Sequence, residues 1–147
     1  KPSAMKRFCE NFHRLPDSVK SRLTVENDDK ASMYSVVDLY EGVYKVIGIP
    51  IVFDYHHHAF CTGGLSEEDA LEVAISTWVD IVPVVHYSES RNIEQEDDKI
   101  RPQAHSDYVY DYIDTYGNRV DIMVEAKAKE LAVLKYKEIH NDIRANS

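Results

Sequence analysis

One carboxylate and three imidazoles stand together in Asp54-Tyr55-His56-His57-His58, directly after the apolar run Ile49-Pro50-Ile51-Val52-Phe53. Three other apolar runs end in the same way. Leu23-Thr24-Val25 is followed by Glu26, Ile81 to Val85 by His86, and Val120 to Val124 by Glu125. Carboxylates and imidazoles are the side chains that hold divalent ions such as Zn²⁺ or Mn²⁺. Asp54 can bridge two ions, because a carboxylate has two oxygens with free lone pairs. His57, three residues on, can reach a second ion, and His105 can enter from a loop. A single acid after a strand is ordinary, since Asp and Asn open the loops that follow strands. Four strand ends carrying acid or imidazole are less ordinary, and the pattern alone leaves a metal site and plain loop-opening residues as two open readings. At least one of His56, His57 and His58 is expected to be packed or solvated instead. Asp28 and Asp29 read as loop or helix-start residues, the acidic residues 94–98 as a solvated face, and Tyr108 to Tyr116 as packing.

Such side chains meet only if the strands run parallel, so that their ends share one side of a sheet. The intervening segments have the pattern of crossover helices. Met5, Phe8, Cys9, Phe12 and Leu15 recur at helical spacing, giving a helix over 3–14. Ser35 with Asp38 is a helix-start box, Leu39, Val43, Val46 and Ile47 form one face, and Gly48 is the stop. Ser66 with Asp69 starts another helix, with Leu71, Ala74, Ile75 and Trp78 on its face. Pro83 inside the third run suggests a bulge or the first residues of a strand. Residues 87–104 read as an exposed loop, and Gly117-Asn118 as a turn. Ala128, Leu131, Ala132, Leu134 and Ile139 mark a long closing helix. The fold class is therefore α/β with parallel strands.

A chain of 147 residues is enough for one domain. Apolar residues make up 44% and charged residues 29%, which excludes a disordered chain. A net charge of -9 excludes a simple basic nucleic-acid-binding surface, though not an enzyme whose acids hold cations. No apolar run is long enough to span a membrane, and Lys1 to Leu15 lacks the apolar segment of a signal peptide. Cys9 and Cys61 have no metal-motif spacing and read as free thiols in a reducing compartment.

Several short motifs occur in an order that resembles the UV damage endonucleases: Glu26-Asn27-Asp28-Asp29, Val52 to His58, Thr77-Trp78, His86-Tyr87-Ser88, Ala104-His105-Ser106-Asp107 and Asp121 to Lys127. The resemblance runs from about Leu15 to Leu134. It implies a TIM barrel with divalent metal ions, often manganese, with zinc or magnesium as alternatives, at its C-terminal face. It implies an enzyme that nicks damaged double-stranded DNA on the 5′ side of ultraviolet photoproducts. Carried over by motif, Glu26, Asp54, His57, His86, His105 and Glu125 match metal-ligand positions, with Glu26, Asp54 and Glu125 as the catalytic carboxylates. The ions would activate a water and stabilise the attacking and leaving oxygens. Lys127 matches a lysine after the last ligand.

Two departures accompany the resemblance. The family commonly carries a lysine two residues before the third-strand histidine, and Val84 stands there instead. The earlier strands of the barrel, which bring two further histidines, have no counterpart. Residues 1–147 are therefore expected to be roughly the C-terminal half of a barrel. Its partner would be the missing N-terminal half or a second copy, because half a barrel leaves sheet edges open. The location implied is intracellular: cytoplasmic in a prokaryote, nuclear or mitochondrial in a eukaryote. The competing expectations are a catalytically inactive fragment that binds metal or a partner chain, and a divalent-metal sugar isomerase on a related barrel.

Overall fold

The computed structural model describes residues 1–145, with side chains through His140. Four strands form one sheet in the order β1 (Val25–Glu26), β2 (Ile51–Asp54), β3 (Val84–Tyr87), β4 (Asp121–Val124). Every pairing is parallel, as the alternation of strands and helices requires. β2 is buried along its whole length. The core fills the space between β2, β3 and the helices, with Val36, Ile51, Phe53, Leu71 and Val85 at its centre.

Each of the four strands begins later than its apolar run. Proline explains two of the shifts. Pro50 and Pro83 have no N–H to give a ladder, so they stand just outside it and offer only their carbonyls. Val25 N donates to Pro50 O at 3.1 Å, and Asp121 N to Pro83 O at 2.8 Å. His86 in consequence lies inside β3, in register with Asp54 and Met123, and does not close it. Ile81, read as strand, is 63% exposed.

Helix α1 (Pro2–Phe12) is followed by an unforeseen turn of helix, α2 (Asp17–Lys20). α3 (Val36–Leu39) starts with the reciprocal box expected at Ser35: its hydroxyl accepts from Asp38 N, and the Asp38 carboxylate accepts from Ser35 N. The helix passes through a π-turn (Tyr40–Tyr44) into α4 (Lys45–Ile47) and stops at Gly48, where φ is 74°. The π-turn lies where α1 crosses. Cys9 Sγ donates to Gly42 O at 3.4 Å, and a Cβ on Gly42 would sit 2.5 Å from Met5 Sδ. Cys9 and Cys61 are both free and buried.

α5 (Tyr55–Phe60) leaves β2 at once, where the sequence suggested only a strand end. α6 (Glu67–Ser76) starts at Ser66, as its box predicts. It ends before Trp78, and the two residues that follow it anchor β2. Thr77 Oγ1 accepts from Ile51 N at 2.9 Å while donating to Ala74 O at 2.6 Å. Trp78 Nε1 donates to Ile51 O at 2.8 Å. Replacing Thr77 by Val would leave the buried Ile51 N–H without a partner. Such a loss costs about 1–3 kcal/mol, and the expected result is a lower urea midpoint at unchanged slope.

The closing helix α8 (Glu130–Ala145) corrects the sequence reading. Leu131, Leu134 and Ile139 are 54%, 61% and 43% exposed, whereas Ala132, Tyr136 and His140 are buried. The buried residues recur every four positions and make one stripe. Hydrogen bonds select that face: Tyr136 Oη accepts from Ile113 N, and His140 Nε2 lies 2.9 Å from Tyr110 O. A hydrophobicity pattern cannot see such bonds.

Candidate metal centre

β1 is two residues long, so something other than its ladder must hold Glu26 in place. Asn27 does this. It is fully buried, and its side chain donates to Asp54 O at 3.0 Å and accepts from Asp54 N at 2.9 Å. The pair of bonds continues the β1–β2 ladder by one rung, with a side chain in place of a backbone. Asn27 O also lies 2.7 Å from His57 Nδ1. Asn27 appeared in the sequence only as part of a motif with no role attached. The one signal available was an asparagine directly after a strand-ending acid.

The two oxygens of Asp54 have separate tasks. Oδ1 accepts from His57 N at 2.9 Å and so caps the start of α5. Oδ2 is buried and has no hydrogen-bond partner in the protein, and the same is true of Glu125 Oε1. Buried carboxylate oxygens without partners are costly, and a bound cation is the remedy that suits them. Glu26, Asp54, His86 and Glu125 each offer one ligand atom, and these atoms all lie within 4.8 Å of one another. Donors about 2.1 Å from a shared ion are at most about 4.2 Å apart, so a small contraction closes the site.

The four residues converge as the strand-end pattern requires. His86 Nδ1 is 3.1 Å from Glu26 Oε1 and 3.3 Å from Glu125 Oε1. His57 reaches over from α5, with Nδ1 3.6 Å from Glu26 Oε1 and Nε2 3.6 Å from Asp54 Oδ2. His105 lies outside the group of four. Its backbone bridges to Ser90, and its ring meets that of His56 edge-on at 6.1 Å. His56 also packs on Phe60 and His58 on Phe53, so two of the three consecutive histidines have packing contacts.

The loop that carries His105 is tied from within. Glu94, in α7 (Arg91–Gln95), accepts from Asp107 N, Tyr108 N and Tyr110 Oη. Burial pushes its carboxyl up, but those backbone and hydroxyl donors outweigh it and hold it down at about 2. Arg91 pairs with Asp107 at 2.5 Å. Glu94 is thus an internal brace, where the sequence suggested a solvated face.

The groups of the centre shift one another's protonation. Burial and the neighbouring Glu26 push the Asp54 carboxyl above its usual range. Burial also pushes Glu26 upward, but its hydrogen bond with His86 and the nearby imidazoles of His86 and His57 outweigh it and leave Glu26 ionised. The bond to Glu26 raises His86. A raised Asp54 means that the metal-free fold binds more protons than the unfolded chain above pH 3.8, so its stability falls as pH rises through that window. The His86 contribution is complete below 6.5 and is lost as pH rises through its raised value. The depressed Glu26 acts the other way, but only below 4.5. Cation binding must expel the protons on Asp54 and His86. The thermal stabilisation by Mn²⁺ should therefore grow between about pH 5.5 and 8. A shift in melting temperature independent of pH would contradict this assignment.

A family model described as UV-endonuclease UvdE matches residues 1–145. The chain belongs to the UvdE family. This UvdE-family chain is 38% identical over 157 residues to the UV DNA damage endonuclease of Bacillus pumilus, covering 99% of this chain and 46% of that protein. It is 37% identical over 142 residues to the UV-damage endonuclease of Schizosaccharomyces pombe, covering 92% of this chain and 23% of that protein. Among solved structures, the "Crystal Structure of SacUVDE" superposes with a TM-score of 0.76 at 32% identity, over 95% of this chain and 46% of that one. The UvdE-family chain thus spans about half the length of the bacterial relative and of that structure. On β3, Val84 and His86 are two residues apart and project to the same side of the sheet. Val84 therefore shares the face of His86 and brings no charge to it.

Proposed function

We propose that residues 1–147 are the C-terminal part of a metal-dependent DNA repair endonuclease that nicks damaged duplex DNA 5′ to ultraviolet photoproducts. The observation that carries this reading is the convergence of Glu26, Asp54, His86 and Glu125 around two buried carboxylate oxygens that have no hydrogen-bond partner and only imidazole nitrogens at 3.3–3.6 Å, in a chain of the UvdE family. Glu26, Asp54, His57, His86, His105 and Glu125 are the proposed ligand set, with Glu26, Asp54 and Glu125 the carboxylates on which catalysis depends. A divalent cation bound there, manganese in first place, supplies Lewis-acid polarisation of a phosphodiester and neutralises charge on its oxygens. The side chains themselves do three things. Asp54 and Glu125 present bare oxygens to the mouth. The Glu26–His86 bond orients the imidazole. Asn27 O sets the His57 ring.

Charge supports the cation requirement. Among the described residues, no Lys or Arg forms an ion pair with any of the three carboxylates. A DNA phosphate brought to this mouth would meet carboxylates whose charge only the imidazoles of His57 and His86 offset. The four parallel strands, wound in sequence order, suit half of a barrel whose other half is the N-terminal part of its longer relatives or a second copy of the chain. A second reading, a fragment that holds metal without cutting, is favoured by Val84 at the position of the family's lysine. The order of the motifs, and not the ligand types of the site, argues against sugar isomerisation.

The test pairs this chain with the N-terminal half of the Bacillus pumilus relative on irradiated duplex DNA. The chain alone should bind Mn²⁺ without nicking. The complemented barrel should nick 5′ to the photoproduct, and a chelator should stop it. Glu125→Gln should lower the nicking rate at least about 10³-fold while duplex binding stays within a few-fold. Failure of the wild-type chain to bind Mn²⁺ at all would overturn the metal reading. Binding without nicking in the complemented barrel would favour the inactive fragment.

A further inference from the structure

Between α5, α7 and the start of the Tyr-rich segment the fold forms a cleft of about 540 Å³, open to solvent on one side. That is the size of a small-ligand site. Tyr87 lines it from the face of β3 opposite His86, because successive strand residues project to opposite sides. Its walls are aromatic, formed by Tyr55, Phe60, Tyr87 and Tyr110. Glu67, Glu89, Glu94 and Asp111 add carboxylates, and no Lys or Arg lines it.

Buried polar groups show that this is more than a gap in apolar packing. Ser88, Ser90 and His56 line the cleft and are 4%, 9% and 9% exposed. Ser88 Oγ, Ser90 Oγ and His56 Nε2 have no hydrogen-bond partner in the protein. A native fold rarely leaves three such atoms in the lining of one cleft, since each costs about 1–3 kcal/mol. A ligand that hydrogen-bonds them would repay that cost.

The chemistry of the lining selects the ligand. Four carboxylates line the cleft and the Lys135 ammonium already lies over the Tyr110 ring at 5.2 Å, so the cleft favours a cation over a phosphate or a carboxylate. Hydroxyl and carboxylate oxygens call for donors, and aromatic walls call for a flat cation. A guanidinium has five N–H donors and no acceptor, and it stacks on aromatic faces. We propose that this cleft binds a guanidinium group, as free arginine or as an arginine side chain of a partner polypeptide. The cleft adjoins the metal mouth, since the His56 ring packs on His105, but shares none of its ligand residues, and the proposal stands whether or not the chain is part of a nuclease.

Glu89 and Glu94 cannot serve as probes, because both brace the fold. Glu89 accepts from Tyr110 N, Asp111 N and Tyr87 Oη, and Glu94 holds the loop described above. Glu67 and Asp111 are better choices. Gln at 67 can still accept the hydrogen bond from Tyr116 Oη, and the Asp111 side chain is exposed.

The experiment titrates N-acetyl-arginine amide into the isotope-labelled chain and follows the backbone amide resonances of Ser88, Ser90 and Tyr110. Saturable shifts at those three residues are expected at millimolar concentration. N-acetyl-citrulline amide, of the same shape but neutral, should bind at least about tenfold more weakly. Glu67→Gln combined with Asp111→Asn should weaken the arginine compound about tenfold at unchanged melting temperature. An arginine-containing tripeptide that binds more tightly than free L-arginine would place the guanidinium on a partner chain, and the reverse would make the ligand a metabolite. Equal binding of the citrulline compound would overturn the proposal. So would the absence of saturation up to about 10 mM, or shifts confined to the metal mouth.

Discussion

Asp54→Asn should fold like the wild type and bind Mn²⁺ at least about 100-fold more weakly, a loss at the upper end of, or beyond, what supporting residues of metal sites show. The reason is the division of labour within one carboxylate. An asparagine in the same rotamer keeps an oxygen at Oδ1, so the cap on His57 N survives. It replaces the partnerless Oδ2 with an amide nitrogen, which donates hydrogen bonds and cannot take a cation. Asp54→Ala loses both tasks and should cost about 1 kcal/mol more in stability through the missing cap. In chelator at pH 8 the asparagine variant should be at least as stable as the wild type, because it removes a buried carboxyl that resists ionisation. Calorimetric titration with Mn²⁺ and thermal melts in chelator measure the two effects. Wild-type affinity in Asp54→Asn would remove Asp54 from the ligand set.

The second large effect falls on a residue that touches no cation in this scheme. Asn27→Ala should destabilise the chain by about 2–5 kcal/mol, because the buried N–H and C=O of Asp54 both lose their partner. That is a large fraction of the about 5–15 kcal/mol that holds a domain together. Mn²⁺ affinity should fall with it, since Glu26 is then held only by a two-residue strand. Asn27→Asp is the informative companion. It keeps the acceptor for Asp54 N, loses the donor to Asp54 O and adds a buried charge, so it should be no better than alanine. Urea denaturation decides the matter: a change below about 1 kcal/mol would mean that the clamp is incidental.

These two residues also show what could be read from the chain in advance. Glu26, Asp54, His86 and Glu125 were legible because one rule links them: parallel strands bring their ends to one side, and each run ended in a ligand-type residue. Parallel order was legible for the same reason, from alternation of strand and helix patterns. The boundaries were not, because Pro50 and Pro83 stand outside ladders that only their partners define. His86 is the clearest case, since it pairs within β3 although it follows the apolar run. The Glu94 brace, the Asn27 clamp and the buried face of α8 depend on hydrogen bonds between segments distant in sequence. Polar side chains used in this way look like surface until their partners are known. Short helices such as α5 are hidden for another reason: Asp54 both ends a strand and caps a helix, leaving no loop to mark the change.

The single tryptophan of the chain holds the first carbonyl of β2, the strand that carries Asp54 at its other end. Its emission therefore gauges whether that strand is seated, with no label added. A variant whose spectrum stays that of the wild type while it no longer retains manganese has lost chemistry alone. One whose spectrum moves red in step with that loss has lost architecture, and a fluorimeter sorts the two before any DNA is cut.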